Sequence, residues 1–433
     1  MILEVAITNF RSIDDEQVLS FYSTGNQGGL LGNTVEFQGI PCRLLKSIAF
    51  YGANASGKTN ALRALWTLRR IISRSYSLAE GDVIPWYDPC IFHSGKQDDG
   101  TRFEIEFTIP VEGVESRFLY KVAFNGSEIL EESLSSFAKV REAVLFQRKK
   151  GDTRETIGLG ASLKGGERRM AFFKNQAYLS VAGRNPAAPE ILRAIYRYFR
   201  SSIKQIRLNE RVSFFDSLHR SDAVNNLITY VDIGVSNVAP RKVQSDDDRI
   251  EFPPDMPETM KRDILASFRT RYYFKHETDD GKNAELEFSN ESDGTKRLFV
   301  LFPDLIRILT GGGVFIIDEI ESGMHPFMAE TLVKLFNDPE VNEGQAQLIF
   351  TTHNNNLLSP NLMRRDQIWF SEKKNGRSTF FSLDSFDKKA VTPSSPFGKW
   401  YLEGRFGAIP NINYAGLSAA VRLLRAQGGM VDA

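Results

Sequence analysis

The sequence predicts an α/β fold divided between the two ends of the chain, with a β-rich and then helical segment inserted between them. Three observations predict it. Residues 52–59 read Gly-Ala-Asn-Ala-Ser-Gly-Lys-Thr, which fits the pattern G-x-x-x-x-G-K-[ST]. This stretch lies between an apolar strand-like run (Leu44 to Tyr51) and a run with apolar residues at helical spacing (Asn60 to Ile72). Val314 to Ile317 is wholly apolar and ends in Asp318 and Glu319, as a buried parallel strand with its polar end at a ligand crevice would. Leu348 to Thr352 is a second such run and ends in His353. About 30 residues separate the two runs, room for one helix (Phe327 to Phe336) between parallel strands.

In the glycine-bearing loop, Gly52 and Gly57 let backbone N–H groups of Asn54, Ala55 and Ser56 turn inward around phosphate. The following helix N-terminus, at Lys58, Thr59 and Asn60, adds a favourable partial positive charge. Lys58 supplies a point charge to the outer phosphates, and the Thr59 hydroxyl suits Mg²⁺. Asp318 is the matching carboxylate for the metal, and Glu319 would orient or deprotonate an attacking water. A strand that merely ends in surface acids reads the same in isolation; the loop upstream favours the functional reading. His353 would hydrogen-bond the terminal phosphate or the water. Ser292-Asp293-Gly294 precedes an apolar helix (Leu298, Leu301, Leu305, Ile308), with Ser292 as N-cap. It is either an ordinary cap or a second anion-binding helix tip, serving nucleotide on another subunit.

At 433 residues the chain has room for two or three domains, or one with a large insertion. Lys plus Arg equals Asp plus Glu at 54 each, so no global attraction draws the chain to nucleic acid or membrane. The two cysteines, Cys42 and Cys90, have no metal-ligand spacing and imply no disulfide scaffold, which fits a reducing cytoplasm. The N-terminus lacks the features of a signal peptide, and no run of about 18 apolar residues suggests a membrane span.

Along the chain, Glu4 to Phe10 and Arg43 to Tyr51 read as strands. Phe103 to Ile109 alternates apolar and charged residues, and Phe118 to Phe124 can pair with it through a turn at Gly113. Leu130 to Phe137 and Ala143 to Gln147 continue the β-rich stretch. Ala187 to Tyr230 turns helical, Pro240 to Pro257 reads as a loop, and Arg269 to Phe288 as strands. The expected division is 1–110 and 286–433 for the two parts of the head, with 111–285 as the insertion. Arg193, Arg197, Arg200, Lys204, Arg207 and Arg211 would form one basic stripe on a helix, facing either a polyanion, an acidic partner or solvent.

These pieces, in this order, resemble the ATP-binding-cassette (ABC) ATPases of the chromosome-maintenance and recombination type. The nearest likeness is the AAA15/AAA21 branch, related to the ATPase part of overcoming-lysogenization-defect proteins. Asn9-Phe10-Arg11-Ser12-Ile13, Asp318 to Pro326, and Glu403 to Pro410 are similar to that branch's N-terminal, Asp-Glu and C-terminal segments. These segments lie at the two ends, roughly half the chain, and the resemblance does not extend to 111–285. The resemblance implies an ABC-type P-loop head with a mixed sheet, ATP and Mg²⁺ as ligands, and Arg11 among the nucleotide-binding residues. It implies a homodimer or higher homo-oligomer in which Lys58 and Thr59 of one head face Ser292 and Gly294 of the other across ATP. Asp293 departs from the transporter form of that signature, and the glutamine of the loop toward the middle lobe has two candidates, Gln97 and Gln176. Branch members often serve bacterial anti-phage defence beside a separately encoded nuclease or toxin. The alternative is a DNA repair or recombination ATPase that binds DNA structures, here through the basic helix 193–211.

Overall fold

The computed structural model describes residues 1–25, 30–37, 39–40, 42–92, 99–138, 141–206, 226–231, 234–242, 261 and 270–426. The chain opens with an antiparallel pair, β1 (Ile2–Thr8) and β2 (Gln17–Ser20). A two-residue pair, β3 (Thr34–Val35) with β4 (Leu44–Leu45), precedes β5 (Ser47–Tyr51) and the helix α1 (Lys58–Arg74). Four long strands follow: β6 (Thr101–Val111), β7 (Val114–Phe124), β8 (Ile129–Ala138) and β9 (Arg141–Lys149), then the short β10 (Gly158–Leu159). Two helices, α2 (Tyr178–Arg184) and α3 (Glu190–Arg197), lead into β11 (Ile203–Ile206). A meander of β12 (Val235–Lys242), β13 (Thr270–Glu277) and β14 (Asn283–Glu287) comes next. The C-terminal part runs α4 (Asp293–Gly311), β15 (Val314–Ile317), α5 (Pro326–Asn337), β16 (Gln347–Thr351), β17 (Ile368–Lys374) and β18 (Arg377–Ser382). It ends in α6 (Phe397–Leu402) and α7 (Tyr414–Ala426).

Two large sheets enclose α1. One is antiparallel, in the order β10-β9-β8-β7-β6-β1-β2. The other is mixed, in the order β11-β15-β16-β5-β17-β18, parallel except for the final hairpin. Successive side chains of a strand point to opposite faces, and the two cores divide accordingly. Ile48 and Phe50 of β5, with Val314, Ile316 and Ile349, join Leu62, Leu65 and Leu68 of α1 against the antiparallel sheet. Ala49, Tyr51, Phe315, Ile317, Leu348 and Phe350 pack on the other side against α4, α5 and α6. Burial on both faces is why these strands read as unbroken apolar runs. Gln347 joins the two sheets: its amide donates to the Ile2 carbonyl at 2.8 Å and accepts from the Ile2 N–H at 2.6 Å.

The α/β class with a mixed sheet is therefore what the sequence predicts. The boundary at 110/111 falls inside the β6–β7 hairpin, and β1 lies in the same sheet as β6 to β10, so one sheet spans both sides of it. The helical reading of 187–230 is corrected. Helix α3 ends at Arg197, a π turn covers Tyr198–Ser202, and residues 203–206 pair in parallel with β15. Lys204 thus sits on a strand and reaches Asp304 at 3.5 Å, while Arg193 and Arg197 both pair with Glu190. The continuous basic helix 193–211 does not form; Arg207 and Arg211 lie outside the described residues. An open edge on β15 explains the change, because backbone pairing there competes with the helical period that Phe199 and Ile203 also satisfy. Pro240 belongs to β12, and the rest of the expected loop, 243–257, lies outside the described residues.

Candidate active site

Strand β5 delivers the chain to the loop 52–57, and α1 leaves from it. Gly52 and Gly57 have φ of 151° and 117°, a region that side chains rarely adopt. A Cβ at either would also collide with the β17–β18 hairpin, at the Ser371 carbonyl and the Ser378 hydroxyl. That hairpin is a cradle beneath the loop: the hydroxyls of Ser371 and Ser378 donate to the Ser56 carbonyl at 3.0 and 2.6 Å. Tyr401 comes up from α6 against Tyr51, with ring centroids 5.8 Å apart, and its hydroxyl takes a hydrogen bond from the Gly52 backbone.

Lys58 is buried and its ammonium donates to the carbonyls of Gly52 at 2.8 Å and Ala53 at 3.0 Å. Burial lowers its pKa, and the carboxylates of Glu319, Asp318 and Glu321 oppose that shift. The Thr59 hydroxyl donates to Asp318 Oδ1 at 3.1 Å, closing a gap of 259 positions in the chain. The same oxygen accepts from the Thr351 hydroxyl at 2.6 Å, and Thr351 Oγ1 in turn accepts from the Glu319 N–H at 2.7 Å. Glu319 takes a left-handed φ of 48°, which turns the chain directly after β15. The Glu321 carboxylate accepts from the Thr352 hydroxyl and the His353 N–H, each at 2.6 Å, and so anchors the start of the His353 loop. Burial lowers the pKa of His353, the Lys58 charge lowers it further, and the three nearby carboxylates act the other way. The imidazole is therefore neutral at neutral pH.

Beside the first turn of α1, Arg11 has a left-handed φ of 55° and bridges Asp88 (2.5 Å) and the Asn60 side chain (3.1 Å). Asn60 donates to Ser12 at 2.7 Å, and Ser378 joins the same hydroxyl at 2.8 Å. Ser292 caps α4 by accepting from the Thr295 N–H at 3.1 Å. Gly294 packs against Gly323 so closely that a Cβ would collide with the Gly323 carbonyl oxygen. Arg297, one turn on, donates to the carbonyls of Ser322 and Glu319, the latter at 3.0 Å. The helix tip is thereby fastened to the loop that follows the two carboxylates.

The structure thus brings Lys58, Thr59, Asp318, Glu319 and His353 to one place, with Arg11 and Asn60 at its edge. Ser292 and Gly294 lie across the 318–323 loop, and among the described residues no hydrogen bond links them to 52–59. Gln176 is spent elsewhere: its amide nitrogen donates to the carbonyls of Tyr76 and Leu78, and its oxygen accepts from the Phe173 N–H. It is not the water-positioning glutamine, and Gln97 lies outside the described residues. Sequence reasoning missed Thr351, Glu321 and Arg297 as organisers of the site, and Ser371 and Ser378 as its floor. Only Thr351 carried a signal, as a hydroxyl at the polar end of an apolar strand.

A family model, AAA_21, described as "AAA domain, putative AbiEii toxin, Type IV TA system", matches residues 47–359. No curated protein matches the chain. Similar solved structures include the SMC head domain from Thermotoga maritima, at 12% identity over 88% of this chain and 98% of that one, with a TM-score of 0.39. Another is an SmcHead bound to the C-winged helix domain of ScpA, at 13% identity over 88% and 97%, with a TM-score of 0.38. A third is an Smc head with an extended coiled coil bound to the C-terminal domain of ScpA derived from Pyrococcus furiosus, at 12% identity over 88% and 96%, with a TM-score of 0.37.

Proposed function

The chain belongs to the AAA_21 family of AAA domains, and from that premise we propose that it binds and hydrolyses ATP with Mg²⁺ as an ABC-type head that dimerises around nucleotide. The observation that carries this is the Thr59–Asp318 contact, which joins the phosphate loop to the acidic strand end. Lys58 is already charged and aimed across the loop mouth, so its ammonium can exchange two carbonyls for phosphate oxygens. The loop N–H groups from Asn54 to Thr59 supply the remaining donors. Arg11 and Asn60 flank the same helix tip and hold nucleotide from the side.

Thr59 and Asp318 fit Mg²⁺ as oxygen donors from one hydroxyl and one carboxylate, the sparse set this ion accepts beside phosphates. Among the described residues no group of three or more His, Cys, Asp or Glu side chains offers a protein-only metal cage. Bound there, the ion would neutralise charge on the outer phosphates. Glu319 orients or deprotonates the attacking water, and neutral His353 donates a hydrogen bond to the terminal phosphate. Ser292 and Gly294 of a second head complete the anion site, since in their own chain, among the described residues, no hydrogen bond links them to 52–59.

The dimer so formed acts as the sensor and scaffold for a separately encoded nuclease or toxin in anti-phage defence. The family's toxin–antitoxin description and the resemblance of both chain ends support that role. Among the described residues no helix is long and apolar enough to cross a membrane, and we place the protein in the cytoplasm. The test is the mass of the wild type and of Glu319→Gln in solution with ATP, alongside their hydrolysis rates. The variant should remain dimeric with ATP and lose turnover. Equal rates in both would reject the assignment of Glu319, and a monomer with ATP in both would reject the shared site.

A further inference from the structure

Strand β13 packs on the start of α4. Alternate residues of a strand share a face, and Tyr272, Phe274 and His276 form the row that meets the helix. Tyr272 and Phe274 both meet the Phe299 ring of α4 edge-on, each at 5.0 Å between centroids. Phe288, in the turn that joins β14 to α4, packs on Phe274 and Phe299 at 6.1 and 5.8 Å. His276 continues the row toward the helix tip, where its Nε2 stands 2.7 Å from Glu291 Oε1. A carboxylate only accepts, so this contact places a ring proton on Nε2. The Glu291 side chain is 5% exposed, and among the described residues His276 is the one side chain paired with it.

Glu291 immediately precedes Ser292, the cap of α4. The tip is therefore held on two sides. Gly294 and Arg297 fasten it to the 318–323 loop, and Glu291 and Phe299 fasten it to the β12–β14 meander. Ser292 Oγ takes the Thr295 N–H, and the Ser292 carbonyl takes that of Lys296. Among the described residues the N–H groups of Asp293 and Gly294 have no acceptor. Free N–H groups in a first helical turn draw anions, a neighbouring carboxylate included. Glu291 is such a neighbour. Turned toward the tip, it would fill those donors and repel phosphate. Bonded to His276, it does neither.

We propose that His276 is a positioning residue for ATP-driven head engagement: it holds the Glu291 carboxylate to the meander, which fixes the α4 tip and leaves the Asp293 and Gly294 N–H groups open to the phosphates of ATP on a second head. The inference rests on the shared site proposed above and goes beyond it, because it gives the meander a part in assembly. Lys58, Thr59 and Asp318 bind nucleotide in their own head without this contact. His276 therefore acts on the union of two heads and not on the first binding step. Its effect runs through charge, since a buried carboxylate stranded beside the tip opposes phosphate where an amide of the same shape does not.

The full chain is saturated with the non-hydrolysable analogue adenylyl imidodiphosphate and Mg²⁺, and the dimer dissociation constant is read by sedimentation or light scattering. Binding of a fluorescent analogue to dilute, monomeric protein gives nucleotide affinity separately. His276→Ala should weaken the dimer by about tenfold or more and leave monomer affinity within about twofold of wild type. Adding Glu291→Gln should restore most of the loss, because it removes the stranded charge. Loss of a merely structural contact would not be repaired by that second substitution. If His276→Ala does not fold, His276→Phe keeps a ring, removes the donor and carries the same expectation. A matching loss of monomer affinity, or no recovery with Glu291→Gln, overturns the inference. A wild type that stays monomeric with the analogue overturns the shared site and this inference together, whereas equal dimerisation by wild type and the histidine variant overturns the inference alone.

Discussion

Replacing Gly294 by Ala sets two local rules against each other. Gly294 is the second residue of α4 and has an ordinary helical backbone, since it is absent from the left-handed positions. Helix propensity alone then predicts that Ala stabilises the chain by about 0.5–1 kcal/mol. The structure predicts the opposite sign. A Cβ there would lie inside 3.0 Å of the Gly323 carbonyl oxygen, which is backbone and cannot rotate away. Overpacking of this kind costs about 1–3 kcal/mol. The contact is also braced, because Arg297 ties the helix to the carbonyls of Ser322 and Glu319 on the same loop. Allowing for propensity, the net effect is a loss of about 0–2.5 kcal/mol, or a drop of a few degrees in the unfolding midpoint. Thermal unfolding of wild type and Gly294→Ala without nucleotide reads this directly. ATP affinity should be unchanged, since Lys58 and Thr59 lie on the far side of the 318–323 loop, whereas ATP-driven dimerisation should weaken. A variant more stable than wild type would refute the packing argument.

Other consequences concern the same site. Lys58→Ala should lose nucleotide binding by at least tenfold, as a filter or calorimetric binding measurement would show, because among the described residues the Lys58 ammonium is the one cation bonded to the carbonyls of Gly52 and Ala53. Thr351→Val keeps the shape and removes one hydrogen bond to the Asp318 carboxylate plus the partner of the Glu319 N–H. A cost of about 2–4 kcal/mol follows, and unfolding within about 0.5 kcal/mol of wild type would contradict it. His353 has a folded pKa below its ordinary value, so the folded chain resists protonation there and the unfolded chain does not. Its contribution to stability is complete above the ordinary histidine pKa and is lost as pH falls through the lowered one. His353→Asn should therefore flatten the acid limb of the stability profile below about pH 6.5, and an identical limb would speak against it.

The local chemistry of the site was legible because it is written in short runs. A glycine-bearing turn between a strand and a helix, acids at the end of an apolar run, and a serine cap each need only a few neighbouring residues, and the AAA21 resemblance rests on those runs. Gln176 and the 193–211 helix show where such reading stops. Gln176 is satisfied by carbonyls about a hundred positions away, and residues 203–206 became a strand because β15 offered an edge.

By itself the sequence determined the glycine-bearing turn between β5 and α1, the strand ends that carry Asp318, Glu319 and His353, and the cap of α4, since these depend on backbone preferences and side-chain order over a few residues. Only the tertiary structure decided that Ser371 and Ser378 would floor the loop and that Thr351 would hold Asp318. Contacts between residues tens to hundreds of positions apart are chosen by which faces the sheets bury together, and the periodicity of a single segment carries no record of that choice.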